Sequence, residues 1–325
     1  MSSLVQKKLE KSLLRFKERI SNGSFYEAQQ TILSITNRYL IAKNYSAAID
    51  LVYNATVILL EHEQFDEAAA LYYKLLEIFT EANTPIDEFK RNDMSKISNI
   101  LTSFPESNLN IASLAKETVK FENSKATEFE FDEVNFILGS KLYYSGKSPE
   151  VNTSEKLLIT CDNEQAMKML VDLEFNSFQK LNNVSLFGLY SSRVVLSYIL
   201  AGNIKLAAAA MTLLLKKFKS FDSSYSFTDV NGLSILEASG ESNVDNNKRL
   251  INFLQLLITL LQKAGDSDAR QFQLLFQNYS KTLSFYEGLV DKINEIGQQY
   301  FEVTVSRKQT NMLQSMMGNL LGGSN

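Results

Sequence analysis

The sequence is poor in the residues that most metal sites and catalytic sites require. It contains one histidine, His62, one cysteine, Cys161, and no tryptophan. A zinc site of cysteine and histidine ligands needs about four of them, so the sequence excludes that class of site. A single cysteine also excludes internal disulfides and favours a reducing compartment, with the cytosol as the default. His62 stands between two glutamates at the end of a helical pattern, where a solvated role is favoured over a catalytic one.

Glycine and proline are also scarce, and neither residue forms a functional motif. The sequence has no phosphate-binding glycine loop, no dinucleotide-binding motif and no Gly-x-Ser-x-Gly motif. The three prolines, Pro85, Pro105 and Pro149, fall between periodic segments, where a helix start tolerates them. A carboxylate pair for acid–base chemistry stays an open alternative, but no pattern points to one. We therefore expect a protein that is not an enzyme and that holds no metal or cofactor.

Long apolar runs and strong bulk charge are missing as well. No apolar run approaches the ~18 residues that a membrane-spanning helix needs. The first eight residues lack the apolar core of a signal peptide. The net charge of −4 gives no general argument for binding nucleic acid. We expect no direct membrane insertion and no nucleic-acid partner.

A twenty-residue repeat near the N-terminus is the main pattern that is present. Three aromatic residues recur every 20 positions, and each precedes an alanine by three positions: Phe25 and Ala28, Tyr45 and Ala48, Phe65 and Ala68. A fixed short period is typical of stacked helices, because one such unit cannot bury its apolar face alone. We therefore predict an all-α fold, an α-solenoid of TPR-like helix pairs, which usually presents a surface to protein partners.

Apolar periodicity extends the helical prediction along most of the chain. The predicted helices span residues 5–21, 25–42, 45–62, 66–82, 86–103, 106–123, 131–144, 149–160, 163–181, 185–201, 203–219, 247–263 and 267–304. The acidic stretch at 122–133 is predicted to be a solvated linker. Between residues 220 and 246 the pattern alternates instead, and Asn231-Gly232 separates two apolar runs. That dipeptide predicts a small β-hairpin near residues 225–236, either a loop on its own solenoid or a flap that holds a partner.

Positive charge is concentrated at the N-terminus. Residues 1–45 carry eight lysines and arginines and three acidic residues, a net charge of +5 in a chain of −4. On the first predicted helix an apolar stripe adjoins a basic one: Leu9, Leu13, Phe16 and Ile20 beside Lys8, Lys11, Arg15 and Arg19. A solvated helix face is the simpler interpretation. A docking surface for an acidic protein is the alternative, since complementary charge speeds encounter and sets register.

The C-terminal region contains two further apolar patterns. The last predicted helix has apolar residues at alternating spacings of three and four, which favours a core position: Phe272, Phe276, Tyr279, Leu283, Tyr286, Val290, Ile293 and Tyr300. The tail beyond it is rich in methionine. Its apolar residues form either a short amphipathic helix or a frayed terminus: Met312, Leu313, Met316, Met317 and Leu320.

Both ends of the chain resemble one family, the fungal α-solenoid adaptors of the guided-entry (Golgi-to-ER-traffic) pathway for tail-anchored membrane proteins. The N-terminal resemblance rests on Arg15-Phe16, Ile20, Gly23, residues 26–31, residues 37–39, Lys43, Tyr45 and Ala48-Ile49. The C-terminal resemblance rests on residues 308–317 and 321–323. Helix order and total length agree with the family as well.

The resemblance implies a non-enzymatic, cytosolic adaptor with two partners. Members bind the pathway's targeting ATPase through their N-terminal helices. This implies an ATPase-binding face here of Lys11, Arg15, Arg19, Tyr26, Gln30, Arg38, Tyr39, Lys43 and Tyr45. Members hold a ubiquitin-like-domain protein with their C-terminal half, and that protein recruits a TPR co-chaperone carrying the client. The implied face is Phe227, Val230, Leu233, Ile235, Phe253, Leu254 and Leu257.

The predicted organisation follows from these two faces. Residues 1–145 form the N-terminal half of the solenoid, residues 146–306 the C-terminal half with the hairpin, and residues 307–325 a methionine-rich tail. The alternative function is a scaffold subunit of another multi-protein complex, of the lid type. Such subunits usually end in strands, whereas this chain ends in a helical pattern and the tail.

Overall fold

The computed structural model describes residues 3–125, 131–146, 148–263 and 269–304. The methionine-rich tail and part of the acidic stretch at 122–133 lie outside these residues. The chain divides into two units, Met1–Cys161 and Asp162–Asn325. The described residues of both units are mostly helical, and their one sheet is a two-stranded hairpin. The predicted class, an all-α solenoid with a small β-hairpin, is confirmed.

The described part of the first unit consists of consecutive helices. Its described helices are α1 (Ser3–Ser21), α2 (Phe25–Ile41), α3 (Tyr45–Glu61), α4 (Phe65–Ala82), α5 (Ile86–Asn92), α6 (Met94–Ser103), α7 (Ile111–Lys125), α8 (Asp132–Ser145) and α9 (Ser148–Ile159).

The twenty-residue repeat corresponds to one recurring turn between helices. Its central residues, Gly23, Lys43 and Glu63, all have positive φ angles, and so does Gly202 in the second unit. At each turn the amide of that residue bonds to the carbonyl three residues earlier, and the next amide bonds to the carbonyl five residues earlier. These N···O distances lie between 2.8 and 3.0 Å. This is the Schellman arrangement, which satisfies the last carbonyls of a helix.

Glu63→Gly is expected to stabilise the first unit by about 0.5–1 kcal/mol. A non-glycine residue in the left-handed conformation costs roughly 1–2 kcal/mol, and the extra backbone entropy of glycine offsets part of that gain. Urea denaturation at constant m-value measures the change. The matched variant Gly202→Ala, at the same turn of the second unit, is expected to destabilise. A lower midpoint for Glu63→Gly would contradict the assignment of strain to this turn.

The core of the first unit follows the repeat. Ala28, Ala48 and Ala68 are fully buried, so neighbouring helices approach closely at these positions. The aromatic residues of the repeat, Phe25, Tyr45 and Phe65, are half-buried and pack against the same core. The alanines therefore provide close helix contact, and the aromatics fill the space beside each turn.

The second unit contains the remaining helices and the hairpin. Its described elements are α10 (Glu164–Leu181), a 3-10 helix (Val184–Leu186), α11 (Phe187–Leu200), α12 (Ile204–Phe221), β1 (Phe227–Val230), β2 (Leu233–Leu236), α13 (Asn243–Gln262), α14 (Ala269–Phe285) and α15 (Leu289–Phe301).

Two predicted helices are divided in the structure, and a third is shorter than predicted. The helix predicted at 86–103 breaks at Asp93, whose φ of −128° is outside the helical range. The helix predicted at 267–304 breaks before Gly288, which has a φ of +78°. The helix predicted at 106–123 begins only at Ile111. Apolar periodicity continues across both breaks, so the pattern alone gives no sign of them.

The division between the units follows Cys161, whereas the sequence pattern predicts a division after residue 145. The difference is α9, which packs on α8. The hydroxyl of Ser154 donates to the carbonyl of Gly139 at 2.8 Å. A Cβ atom at Gly139 would lie 3.1 Å from the side chain of Leu158, so glycine permits this close approach. Side-chain contacts thus keep α9 in the first unit.

Tyr286→Phe is expected to protect the chain against alkaline unfolding. The Tyr286 hydroxyl is buried without a hydrogen-bond partner among the described residues, and burial raises its pKa to about 12. In the unfolded chain the tyrosine hydroxyl has a pKa of about 10, so it loses its proton more readily there than in the folded chain. The free energy of unfolding therefore falls as the pH rises from about 10 through 12. The free energy of unfolding of the variant should exceed that of the parent by an amount that grows to about 3 kcal/mol between pH 10 and 12.

Denaturant unfolding of the parent and of Tyr286→Phe at pH 7, 10 and 11.5 tests this expectation. At pH 7 the variant should be as stable as the parent or slightly more so, because an unpaired buried hydroxyl costs free energy. Parallel loss of stability in both proteins at high pH would contradict the expectation.

Candidate partner-binding surfaces

Three of the sequence-predicted cations form one exposed stripe on α1. Lys11, Arg15 and Arg19 are spaced by four residues and are all exposed. We call this stripe the basic face. Phe16 and Ile20 of the same helix are buried. The helix therefore buries its apolar stripe and leaves the basic face to solvent, as its sequence pattern predicts.

Arg19 differs from the other two cations because it is held by α2. Its guanidinium donates to the Thr31 hydroxyl and, at 3.4 Å, to the carbonyl of Glu27. These bonds join the end of α1 to the start of α2. Lys11 and Arg15 form no hydrogen bond or ion pair with any residue that the structure describes. Arg19 thus has a structural role, and Lys11 and Arg15 are the cations available to a partner.

The other predicted residues of this region separate into two groups. Tyr26 and Gln30 are exposed near the start of α2, beside the Arg19 contact, and Tyr26 is 68% exposed. Arg38 and Lys43 are exposed near the other end of α2, roughly 18 Å along the helix axis from Tyr26 to Arg38.

The two remaining tyrosines contribute to the core rather than to the open surface. Tyr39 and Tyr45 are half-buried and pack against the hydrophobic core of the first unit. Two apolar residues that the sequence pattern does not single out are unusually exposed here, Leu14 at 60% and Ile41 at 85%. Leu14 adjoins Arg15 and interrupts the apolar spacing of α1, which is the only sequence signal for it.

The hairpin has the register that its turn dipeptide predicts. Val230 pairs with Leu233 and Phe227 pairs with Leu236 in an antiparallel ladder. Asn231 and Gly232, which form the turn, have φ angles of +55° and +83°. Two positive φ angles in a two-residue loop are typical of a type I′ turn, which matches the twist of the flanking strands.

Strand alternation assigns the predicted hairpin residues to two faces. Val230 and Leu233 are direct partners, and Ile235 lies on the same face two positions along β2. This face is partly exposed, with Val230 at 47%. Phe227 belongs to the opposite face. Its ring lies 6.5 Å from that of Phe218 and beneath the Lys219 ammonium at 4.6 Å, so this face packs on α12.

Two amide side chains of α13 bind the backbone of β2. Asn252 accepts from the Leu236 amide at 2.9 Å and donates to the Leu236 carbonyl at 2.8 Å. Gln255 accepts from the Ser234 amide at 2.9 Å and donates to the Ser234 carbonyl at 2.8 Å. We call this arrangement the amide clamp. It satisfies the edge of β2 opposite β1 and fixes the hairpin to α13.

The structure places the three predicted partner-binding residues of α13, Phe253, Leu254 and Leu257, in the core. All three side chains are buried, at 1%, 0% and 0% exposure. The ring of Phe253 lies 5.5 Å from that of Tyr279 on α14. The apolar stripe of α13 forms core, and its amide-bearing side faces the hairpin. Apolar periodicity identifies the stripe but not what the stripe contacts.

A groove of about 590 Å³ lies between α12, α13 and the hairpin. Its apolar lining includes Met211 and Leu215 of α12, Leu233 of the hairpin and Ile258 of α13. We call it the hairpin groove. The lining residues that carry charge are Lys216 and Lys219, and the Lys219 ammonium donates to the Ser234 hydroxyl at 2.9 Å. The groove thus has an apolar floor and a basic end beside the hairpin.

Sequence comparison identifies the family. The family model described as GET4, Golgi to ER traffic protein 4, matches residues 42–321. This chain belongs to the GET4 family. The Golgi to ER traffic protein 4 of Aspergillus fumigatus is 27% identical to it, over 98% of this chain and 91% of the relative. The protein of that name from Schizosaccharomyces pombe is 24% identical, over 92% of this chain and 91% of the relative.

A solved structure supports the same fold. The crystal structure of Get4 from C. therm. matches with a TM-score of 0.74 at 24% identity, over 98% of this chain and 96% of that one. The family match begins at residue 42, after the basic face, whereas the Aspergillus relative aligns with almost the whole chain. Membership of the GET4 family implies a role in Golgi-to-ER traffic and, with it, protein partners.

The described part of this GET4-family chain contains no group of three or more histidine, cysteine, aspartate or glutamate side chains arranged to hold a metal ion. His62 is exposed at the end of α3. Cys161 is buried, and burial raises the pKa of its thiol. None of the described helices is both long and apolar enough to cross a membrane.

Proposed function

We propose that this GET4-family chain is a non-enzymatic cytosolic adaptor in the delivery of tail-anchored membrane proteins to the ER. It bridges a targeting ATPase and a ubiquitin-like-domain protein, and the latter recruits a TPR co-chaperone loaded with client. The amide clamp carries the proposal, because it holds a partly apolar hairpin rigidly over a groove.

The basic face supports the ATPase contact. Lys11 and Arg15 are exposed cations without intramolecular partners among the described residues, on a helix whose other side is buried. Exposed cations of this kind accelerate encounter with an acidic protein surface and select its orientation. Leu14 and Tyr26 supply exposed apolar area near these charges, which suits the mixed composition of transient interfaces.

The hairpin groove supports the second contact. A rigid wall lowers the conformational entropy that binding must otherwise overcome. Leu233 lines the groove, and Val230 and Ile235 share its face of the hairpin. We therefore propose Val230, Leu233 and Ile235 as contact residues for an apolar segment of the ubiquitin-like-domain protein. Phe227, on the opposite face, supports the hairpin from below.

Gentle affinity purification of the tagged full chain from its own cells tests the proposed function, with co-purifying proteins identified by mass. We expect a ubiquitin-like-domain protein in near-equal amount and an ATPase whose recovery falls as salt is raised. Recovery of a large multi-subunit particle instead would favour a lid-type scaffold and overturn the proposal. Recovery of neither partner would overturn it as well.

A further inference from the structure

The turn of the hairpin joins an asparagine to a glycine, Asn231 and Gly232, and both residues are exposed. In an Asn-Gly pair the backbone nitrogen of the glycine can attack the side-chain carbonyl carbon of the asparagine. Glycine has no Cβ atom to obstruct that approach. The attack closes a five-membered succinimide ring and expels ammonia, so the exposed turn has the groups that this self-modification requires.

The reaction needs no co-reactant other than water. The Gly232 nitrogen gives up its proton and forms a bond to Cγ of Asn231. The bond from Cγ to the side-chain nitrogen breaks, and that nitrogen takes up a proton and leaves as ammonia. Water then opens the ring at one of its two carbonyl carbons. Opening at Cγ gives aspartate, and opening at the main-chain carbon gives isoaspartate.

The structure places a base at the attacking group. The Gly232 amide donates to the Asp229 carboxylate, with 3.1 Å between the nitrogen and Oδ1. A carboxylate in this position can accept the amide proton as the nitrogen attacks, which is the role of a general base. Asp229 belongs to β1, so one hairpin supplies both the base and the reacting pair.

The second Asn-Gly pair of the sequence, Asn22-Gly23, has a different setting. The Gly23 amide donates to the carbonyl of Ile20 at 2.9 Å, and this neutral oxygen is no base for its proton. The next amide, that of Ser24, donates to the carbonyl of Arg19 at 3.0 Å. Both bonds close the turn between α1 and α2, and they must break before the Asn22 backbone can rotate for attack.

The hairpin turn is easier to open than the turn after α1. It lies at the tip of two four-residue strands. The amide clamp holds β2 at Ser234 and Leu236, beyond the turn. A Cβ atom at Gly232 would meet nothing within 4 Å, so there is open space around the tip. Segments with few packed neighbours open locally at low cost in free energy.

We propose that Asn231 is a site of spontaneous deamidation with Asp229 as the base, and that formation of isoaspartate opens the hairpin. Isoaspartate continues the chain through its former side-chain carbon, so one extra atom enters a two-residue loop. Conversion also adds a negative charge beside Asp229. The register that pairs Val230 with Leu233 then fails, and Leu233 leaves the lining of the hairpin groove.

The conversion itself does not depend on the proposed function, whereas its effect on a partner does. The hairpin groove is the site proposed for the ubiquitin-like-domain protein, and Gly232 forms part of its lining. A bound partner would hold the turn closed and slow the reaction. Deamidation would therefore mark chains that have spent long periods without the partner.

Incubation of the full chain at neutral pH and physiological temperature, followed by trypsin digestion and mass spectrometry, tests the conversion. Cleavage at lysine and arginine places the two Asn-Gly pairs on separate peptides, 20–38 and 220–248. Synthetic 220–248 peptides with aspartate or isoaspartate at position 231 serve as chromatographic standards. In the folded chain we expect conversion at Asn231 at least about tenfold faster than at Asn22, because of the hydrogen bonds that hold Asn22. In denaturing guanidinium the two rates should agree within about twofold.

Two variants test the assigned roles. Asp229→Asn keeps an oxygen that accepts the hydrogen bond but cannot take the proton, and it should slow conversion at least about fivefold. Asn231→Gly keeps a residue suited to positive φ and removes the reacting side chain, so it should show no conversion at this turn. An unchanged rate in Asp229→Asn would overturn the role of Asp229. Equal rates at Asn231 and Asn22 in the folded chain, or no conversion at Asn231, would overturn the proposal.

Hydrogen exchange and partner binding test the structural consequence, with each aged protein compared with its own fresh sample. Amide exchange over residues 227–236 should accelerate in the aged parent and not in aged Asn231→Gly. Affinity for the ubiquitin-like-domain protein should fall about fivefold once about four fifths of the parent molecules carry isoaspartate. Unchanged exchange in the converted parent would overturn the opening of the hairpin.

The partner measurement also separates this inference from the proposed function. Faster exchange with unchanged partner affinity would retain the inference and reject the hairpin groove as the partner site. Failure of the fresh chain to bind the ubiquitin-like-domain protein would reject the proposed function, while the conversion and exchange results would still decide the inference.

Discussion

Reversing the charge of two residues, Lys11→Glu together with Arg15→Glu, is expected to weaken binding of the targeting ATPase at least about tenfold, or ~1.4 kcal/mol. Both side chains are exposed, and neither forms a hydrogen bond or ion pair with the described residues. The change therefore removes two favourable cations and introduces two repulsive anions without breaking a bond within the chain. Calorimetric titration with the nucleotide-bound ATPase measures the loss, which should be larger at low salt.

A matched variant distinguishes an effect of charge at the basic face from an effect of the net charge of the chain. Lys116→Glu with Lys180→Glu changes the net charge of the chain equally, at exposed positions of α7 and α10. Affinity should change little in this control. Equal weakening in both double variants would mean that only net charge matters, and no weakening in either would remove the basic face from the mechanism.

Arg19 is unsuitable for this test although it belongs to the basic face. Arg19→Glu would also break the bonds from α1 to Thr31 and Glu27 on α2. Loss of affinity would then mix a missing contact with a displaced helix. Arg19→Lys, combined with a stability measurement, examines the helix contact by itself.

Replacing the amide clamp, by Asn252→Leu with Gln255→Met, is expected to lower affinity for the ubiquitin-like-domain protein at least about tenfold. The replacements keep the side-chain volume but leave the amides and carbonyls of Leu236 and Ser234 without partners. Each buried unpaired group costs about 1–3 kcal/mol, so the hairpin should detach from α13 in a large fraction of molecules. Binding is then weakened in proportion to the fraction that remains competent.

The control for the clamp repeats the same chemical change elsewhere. Gln273→Met with Asn278→Leu alters one glutamine and one asparagine at exposed positions of α14. This variant should retain the partner and the parent stability. Full partner retention by the clamp variant would show that the hairpin is a surface loop. A deletion of residues 222–245 is less informative, because it removes Ser242, whose hydroxyl caps α13.

The repeat and the hairpin could be predicted because each depends on local sequence. Small residues at a fixed spacing, as at Ala28 and Ala48, permit close helix contact, and the structure buries both. Asn231-Gly232 encodes its turn through the positive φ angles that these residues tolerate. Such features need no knowledge of what lies opposite them in the fold.

The sequence alone does not reveal contacts that depend on a distant part of the chain. The ring contact between Phe253 and Tyr279 could not be predicted without the position of α14. The hydrogen bond from Arg19 to Thr31 likewise depends on how α2 packs beside α1. The amide clamp joins residues 16 and 21 positions apart, and nothing in the sequence of α13 distinguishes Asn252 and Gln255 from solvated polar residues.

The amide clamp also bears on how the chain avoids self-association. An open strand edge offers backbone groups to a strand of another molecule, and edge-to-edge pairing of this kind begins many aggregates. In β2 one edge pairs with β1, and the other pairs with side chains of α13. The hairpin therefore has one outward edge, that of β1, which is four residues long and carries the charge of Asp229. Short length and charge both discourage pairing between molecules, so the chain can expose an apolar hairpin face without exposing a template for aggregation.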